Sequence, residues 1–352
     1  MSVTTLRPRD SHQRRVQAPP PAPPAAPDRA RTPLTPSLPA RSPLHHAAAG
    51  LRLSGHWREL LCDLALLGEL RLELATARVR LVDSISLAGL RVDGTLASLH
   101  GAEQSLRLLL ERCHALSAAP ARDALLLEDD LGRPLLRLSP LAGSDAPLWR
   151  LVLDGILGAG ERVVPLRETP PALATLIAHP LGALQALCAD APGFTDTAAL
   201  TGQLTLDPGR LRHEAAAGGG SAVAVDPALI PCALRGLSEE LLPLVITAGS
   251  DALVLRRQAA FRHYDYALGR ARLTGDTTGF ELDVAAIDSA WVVNGAAGAG
   301  RGRQLRLYDA DGRALAIIAA ARTCTNCCGG TGAAPCSGEP RFWRSLMNAL
   351  TS

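Results

Sequence analysis

The fold of this chain is decided by a stretch that occurs twice: LLLEDDLGRPL at residues 125–135 and LRLYDADGRAL at residues 305–315. Each copy has apolar residues, then acidic residues and a glycine, then apolar residues again. This pattern is typical of a strand, a tight turn and a second strand. A tryptophan follows each copy, Trp149 in one case and Trp343 in the other, where a closing helix is predicted. Two such matches in the same order predict an internally duplicated domain.

The two copies differ in length between the hairpin and the closing helix. The hairpins lie 180 positions apart and the tryptophans 194, so the second copy is longer by 14 residues. The segment 324–337 has that length and no counterpart in the first copy, so we interpret it as an insertion. Its candidate ligands for zinc or an iron–sulfur cluster are Cys324, Cys327, Cys328 and Cys336. The alternative is a flexible, redox-sensitive loop, because this spacing matches no standard finger or ferredoxin motif.

Around the hairpins, the spacing of apolar residues along the sequence is typical of helices in some segments and of strands in others. Leucines at helical spacing end at Gly68, and Leu70, Leu72 and Leu74 then alternate as in a strand with one buried face. A further short helix is predicted over 105–116. We therefore expect an α+β fold in which an internally duplicated domain has large, mainly antiparallel sheets, flanking helices and a cleft between the repeats.

The predicted domain organisation follows from the duplication and from composition. Residues 1–50 are rich in proline and alanine and offer little that can pack, so they are predicted to be a disordered tail. The remaining predicted segments are a first repeat at 51–155, a helical connector at 156–235, and a second repeat with the insertion at 236–352.

Composition excludes several classes of function. The 352 residues include 36 basic and 34 acidic ones, and every basic residue is an arginine. The net charge of +2 is too small to recruit nucleic acid. No apolar stretch approaches the ~18 residues of a membrane-spanning helix, and no apolar leader follows the N-terminal arginines. We therefore expect a cytoplasmic protein without membrane insertion, whose eight cysteines are thiols or metal ligands.

Four residues outside the insertion are candidates for binding. His263 and Tyr264 lie in an aromatic cluster that suits a flat aromatic ligand. The alternative is a strand with Tyr264 and Tyr266 on the core face and His263 outward. His179 lies at a predicted helix start in the connector, where a histidine more often caps the helix or is solvated. Arg107 interrupts an apolar stretch and is expected on the exposed face of the predicted helix.

Three segments of the second copy carry a resemblance to a known family: AWVV at 290–293, LRLYDADG at 305–312 and EPRFWRSL at 339–346. In these segments the chain resembles the cytoplasmic hemin-transport and hemin-degrading proteins (HemS/HmuS-like). The resemblance implies two repeats with large antiparallel sheets and heme in a cleft between them. It also implies a role in accepting, carrying or degrading heme, with a heme importer or a downstream heme oxygenase as partner.

Residue by residue, the resemblance places Arg107 on the distal side of heme. The family's iron-binding histidine belongs to a Thr-Asp-x-His motif, and the nearest match is TDTA at 195–198, with alanine at the ligand position. The family's Gly-Cys-Ile-Gln-Ile-His stretch is DALVLR at 251–256. The iron ligands that then remain are His179, His263, Tyr264 or water.

Two other classes of function stay open. The duplicated domain can be a heme-free interaction scaffold, or an iron–sulfur or zinc protein that acts through the loop from Cys324 to Cys336. If the chain is an enzyme, the expected activity is heme degradation or iron-related redox chemistry. A Soret band on hemin titration separates heme binding from both alternatives.

Overall fold

The computed structural model describes residues 51–53, 61, 63–93, 96–101, 103–113, 115–119, 121, 123–129, 133–141, 146–158, 207–217, 220–250, 252–294, 302–321 and 339–352. The α-helices within these ranges are α1 (Ala146–Gly158), α2 (Pro208–Ala217), α3 (Ile230–Glu239) and α4 (Arg341–Leu350). Short 3-10 turns occupy Ala65–Leu67, Leu110–Arg112, Pro227–Leu229 and Val284–Ala286. None of the helices in these ranges is long and apolar enough to cross a membrane.

The strands, numbered along the chain, form two nine-stranded antiparallel sheets. Sheet 1, in spatial order, consists of β1 (Leu51–Leu53), β7 (Ala115–Ala118), β8 (Leu125–Glu128), β9 (Pro134–Pro140), β2 (Glu69–Ala75), β3 (Val79–Ser86), β15 (Gly279–Asp283), β14 (Arg270–Thr274) and β13 (His263–Ala267). Sheet 2 consists of β10 (Ala222–Val225), β16 (Ser289–Asn294), β17 (Arg303–Tyr308), β18 (Ala314–Ala320), β11 (Leu244–Gly249), β12 (Leu253–Ala259), β6 (Gln104–Leu109), β5 (Leu96–His100) and β4 (Arg91–Asp93).

The two sheets have the same strand order, because each strand of sheet 1 corresponds to the strand of sheet 2 that is nine numbers away. Each sheet contains six strands of one copy and three strands of the other. This topology confirms the α+β fold with an internally duplicated domain and large antiparallel sheets. It also shows an exchange of three-stranded units between the copies, which the sequence pattern did not predict.

The duplicated hairpins agree in detail. In β8–β9 the register shifts between Leu127 and Glu128, and in β17–β18 it shifts between Leu307 and Tyr308, 180 positions later. At both turns the backbone amide of the aspartate donates to the arginine carbonyl four residues on, at 3.0 Å in each case. The arginine amide donates in return to the aspartate Oδ1, at 2.8 Å in the first copy and 2.9 Å in the second.

The remaining strands of the two copies are related by a second constant offset of 174 positions. In sheet 1, Leu70 of β2 lies opposite Ile85 of β3, and in sheet 2 the equivalent Leu244 of β11 lies opposite Ala259 of β12. Because side chains alternate between the two faces of a strand, equal register places equivalent residues on equivalent faces. Residues 69–109 and 243–283 can therefore be compared position by position.

One pair of equivalent residues meets inside the molecule. Asp83 and Arg257 occupy the same position in the two copies, and Arg257 Nε lies 3.0 Å from Asp83 Oδ2. Thr278 donates to Asp83 Oδ1 at 3.0 Å. Gln104, which occupies the position of Thr278 in the other copy, accepts a hydrogen bond from Arg257 at 3.1 Å. Burial raises the pKa of Asp83, and the charge of Arg257 opposes this shift without cancelling it.

The inner faces of the two sheets contribute to one continuous hydrophobic core. Leu70, Leu72 and Leu74 of β2 enter it from sheet 1, and Leu244 and Ile246 of β11 enter it from sheet 2. The polar residues that alternate with Leu70, Leu72 and Leu74 along β2 point to the other face. Each sheet therefore has an inner face that packs in the core and an outer face that does not.

Three helices complete this core. Ile230, Leu234 and Leu237 of α3 recur at helical spacing and are buried, so α3 presents one apolar stripe. Trp343 and Met347 of α4 are fully buried, and the Trp343 Nε1–H donates to the carbonyl of Arg303 at 3.2 Å. Trp149 of α1, the predicted equivalent of Trp343, is also part of the core.

The helix predicted over 105–116 is wrong. This segment contains β6, a 3-10 turn and β7, and β6 is buried on both faces. A strand buried on both faces has a continuous apolar sequence, so its leucines also fit helical spacing. The prediction that Arg107 lies on an exposed helix face is therefore also wrong, because Arg107 is 1% exposed.

Several predictions lie wholly or mainly outside the described residues. These are the tail at 1–50, the cysteine-rich insertion with Cys324, Cys327, Cys328 and Cys336, His179, and the motif at 195–198. The predicted connector at 156–235 is described in part, and β10 and most of α3 within it belong by topology to the second copy. Cys113 and Cys232, which the structure does describe, form no disulfide within the described residues.

Candidate functional site

The outer face of sheet 2 carries a row of residues that crosses seven neighbouring strands. We call it the arginine row. From one side to the other it consists of Trp291, Arg306, Ile317, Thr247, Arg256, Ser105 and His100, each of which is the Cα partner of the next. Because the residues on either side of each member along its strand face the core, the members themselves point to the outer face.

The central part of the arginine row is shielded from solvent although it lies outside the inner core. Ile317 is 4% exposed and Thr247 is 7% exposed. Arg306 is also buried, and its Nε donates to Gln304 at 3.0 Å. Buried arginines on the outer face of a sheet are uncommon, because a guanidinium withdrawn from water needs partners.

Arg107 lies beside the row on β6, with Val254 of β12 and Ser98 of β5 as its strand partners. Its Nη2 lies 3.3 Å from Nε2 of His100. An arginine side chain has donors only, so His100 Nε2 is the acceptor and the imidazole carries its proton on Nδ1. The two side chains therefore form a guanidinium–imidazole pair at one end of the row.

The pKa of His100 agrees with this protonation state. Burial lowers the pKa of His100, and the charges of Arg107 and Arg91 lower it further. Cationic neighbours disfavour a second positive charge, so His100 stays neutral at pH 7. A neutral imidazole keeps one nitrogen lone pair.

Arg256 is the arginine of the row that has no counter-charge within the described residues. Burial lowers the pKa of its guanidinium, and within the described part of the chain no carboxylate lies within ion-pair distance of it. The Trp291 Nε1–H of the same row and the hydroxyl of Ser289 on the same strand are buried without a hydrogen-bond partner in the described residues. These donors suit a ligand that brings its own acceptors, and carboxylates suit guanidinium groups best.

The structure brings together only some of the residues proposed from the sequence. Arg107 belongs to the site, whereas His263 is exposed and Tyr264 partly buried on β13, at the edge of sheet 1. Tyr264 packs against the core as the alternative strand interpretation expected, but Tyr266 is 49% exposed. The core separates these residues from the outer face of sheet 2. In the described residues no group of three His, Cys, Asp or Glu side chains can hold a metal ion.

Sequence reasoning missed His100 and Arg306, and it considered Arg256 only as a departure from a family motif. A signal for Arg256 exists in the sequence, since it follows the apolar run 252–255 directly, as Arg107 interrupts the apolar run 106–110. A single arginine in a buried strand calls for an explanation, because burying an unpaired charge is costly. His100 carries no comparable signal.

The fold is similar to that of two solved structures. The heme degrading enzyme ChuS of Escherichia coli O157:H7 matches with a TM-score of 0.63 and 17% identity, over 86% of each chain. The holo form of PhuS, a heme-binding protein from Pseudomonas aeruginosa, matches with a TM-score of 0.63 and 17% identity, also over 86% of each chain. No protein-family model and no curated protein matches the chain. The chain therefore shares the fold of ChuS and PhuS.

Proposed function

We propose that this protein binds heme on the arginine row, in the cleft expected between the repeats, and acts in heme uptake or utilisation. The observation that carries the proposal is Arg256, a partly buried guanidinium without a carboxylate partner in the described residues, next to the buried Arg107. Heme supplies a carboxylate for Arg256 and a flat apolar body for the apolar side chains of the row.

The spacing of the row supports this assignment. Arg306 and Arg256 are three strands apart, about 14 Å at the usual strand separation. Ile317 and Thr247 lie between them and offer a low, partly apolar platform. Guanidinium groups beside apolar side chains suit a ligand that carries carboxylates on an apolar body.

The residues that would hold heme are Arg107 and Arg256. When bound, heme supplies the iron chemistry, and the chain supplies charge, shape and exclusion of water. In this proposal the protein works in the cytoplasm, receives heme from an importer and passes it to a downstream heme oxygenase or degrades it. The similarity in fold to a heme-degrading enzyme and to a heme-binding protein supports both outcomes.

A hemin titration of the full chain tests the proposal. We expect a saturable Soret band with one heme per chain, distinct from the spectrum of hemin with an unrelated protein. Adding ascorbate in air to the complex then separates the two roles, since degradation removes the Soret band and carriage leaves it. If hemin gives only the nonspecific spectrum, the proposal fails and the heme-free scaffold takes its place.

A further inference from the structure

The arrangement at the end of the arginine row points to a specific iron ligand. We infer that His100 binds the iron of heme through Nε2, on the side of the ligand that faces Arg107. This inference rests on the proposed function, and it assigns to one residue the coordination that the TDTA motif at 195–198 does not provide.

Position is the first argument. The histidines that the structure describes are His100, His213 and His263. All three are exposed, His213 on α2 and His263 on the edge strand of sheet 1, so their location and not their burial separates them. Of these three, only His100 lies on the arginine row, beside the cationic groups that would hold the propionates.

The direction of the lone pair is the second argument. His100 Nε2 accepts from the Arg107 guanidinium, so the lone pair of that nitrogen is directed toward Arg107. Arg107 and His100 belong to neighbouring strands and to the same outer face, so this direction runs along the surface of the site. An iron atom on this surface meets a nitrogen that is already deprotonated and oriented.

The weakness of the existing contact is the third argument. At 3.3 Å the guanidinium–imidazole hydrogen bond is longer than the usual 2.7–3.2 Å, so exchanging it for a bond to iron costs little. The exchange needs no proton transfer, because Nδ1 keeps its hydrogen and Nε2 only changes partner. Arg107 then has a donor available for a heme carboxylate or for a ligand on iron.

The two copies differ at this position in a way that fits the inference. The equivalent of His100 in sheet 1, 174 positions later, is Thr274 on β14. A threonine hydroxyl is a poor ligand for heme iron, whereas imidazole is one of the commonest. The inference therefore predicts one iron site per chain, on sheet 2.

The experiment compares the full-length wild-type chain with the variants His100→Ala and His263→Ala, each titrated with hemin. We expect the His100→Ala complex to form with about tenfold lower affinity and with a shifted Soret maximum. Added imidazole should restore the wild-type spectrum, which a merely structural loss would not allow. His263→Ala is the matched control, and its spectrum should equal that of the wild type.

The other possible results contradict either this inference or the proposed function. A His100→Ala complex with the wild-type Soret maximum overturns the inference and leaves the proposed function standing. A shifted spectrum that imidazole does not restore also overturns it, and circular dichroism identifies a folding defect, which His100→Gln then avoids. If the wild-type chain itself shows no specific Soret band, the proposed function fails, and the inference fails with it.

Discussion

The outer faces of the two sheets have the same strand order and register but carry different charges at equivalent positions. On sheet 1, Glu281 of β15 accepts hydrogen bonds from Arg270 at 2.8 Å and from Arg272 at 3.3 Å. Its equivalent on sheet 2, 174 positions earlier, is Arg107, which is buried next to an imidazole and another arginine. On sheet 1 Arg270 and Arg272 are matched by a carboxylate, whereas Arg256 on sheet 2 has no carboxylate partner in the part of the chain that the structure describes.

This difference supports the assignment of the proposed site to sheet 2. Both faces come from one duplicated sequence and share one register, so their divergence cannot be explained by the demands of the fold. Pairing of charges stabilises a solvated face, as with Arg80 and Glu73 at 2.6 Å on sheet 1. A buried arginine without a counter-charge lowers stability unless a ligand compensates it. The proposed function therefore places the ligand on sheet 2 and leaves sheet 1 a supporting role.

The largest expected effect is that of Arg107→Met on hemin affinity. Hydrogen bonds to charged groups contribute about 1.5–3 kcal/mol, so the dissociation constant should rise about 10- to 100-fold. Hemin titration measures this change, and circular dichroism confirms that the variant is folded. Arg272→Met on sheet 1 is the control and should leave hemin affinity unchanged.

Arg256→Met should have the next largest effect. Removing this guanidinium should weaken hemin binding about tenfold, in line with the loss of one charged hydrogen bond. Because Arg256 lacks a carboxylate partner in the described residues, its loss should also make binding less sensitive to salt. Titrations at low and at high ionic strength measure both changes. Equal affinity in Arg256→Met and wild type would remove the main support for the arginine row as the site.

Glu281→Gln on sheet 1 should lower stability and leave hemin affinity unchanged. It should lower the free energy of unfolding at pH 7 by about 1 kcal/mol, a value reduced for the partial exposure of both arginines. Hydrogen bonds and charges from Arg270 and Arg272 outweigh the effect of burial and lower the pKa of Glu281. Its ionised form is therefore stabilised by folding above its ordinary pKa, and this contribution disappears as pH falls through the lowered value.

Urea unfolding at several pH values checks this prediction. The difference in stability between wild type and Glu281→Gln should be full at pH 7 and should shrink below about pH 4.5. Hemin affinity of Glu281→Gln should equal that of the wild type at neutral pH. A variant that unfolds like the wild type at pH 7, or that loses hemin, would contradict the division of roles between the sheets.

The smallest effect is expected for Arg80→Ala, also on sheet 1. Glu73 and Glu281 raise the pKa of Arg80 against the effect of burial, so the pair is well formed, but Arg80 is partly exposed. Pairs of this kind contribute about 0.2–1 kcal/mol, and we expect a loss near the lower end. Thermal unfolding measures it, and hemin binding should not change. A loss of several kcal/mol in the free energy of unfolding would contradict the interpretation of this ion pair as a weak, partly exposed one.

The sequence predicted the duplication because both hairpins carry their own turn chemistry. Asp309 and Gly312 encode the turn locally, since Asp309 accepts three amide hydrogen bonds and Gly312 adopts a φ of +72°. Trp149 and Trp343 are large enough to identify the closing helices of both copies. Interactions between residues near in sequence were therefore predicted well.

The exchange of strands and the site were not predictable in the same way. Arg107 lies opposite Val254, so its strand pairs with one almost 150 positions away, and no local pattern indicates such a partner. The burial of Arg256 on an outer face depends on that pairing. His100 became a candidate only when the register placed it at the end of the row that contains Arg256.

The ion pair of Asp83 and Arg257 requires one copy of each half, because the two residues occupy equivalent positions and carry opposite charges. These residues are equivalent, so a molecule built from two first halves would bring two aspartates together in the core. One built from two second halves would bring two arginines together. Either would bury like charges where Arg257 Nε now lies 3.0 Å from Asp83 Oδ2. A second copy of one half therefore cannot take the place of the other without burying two like charges.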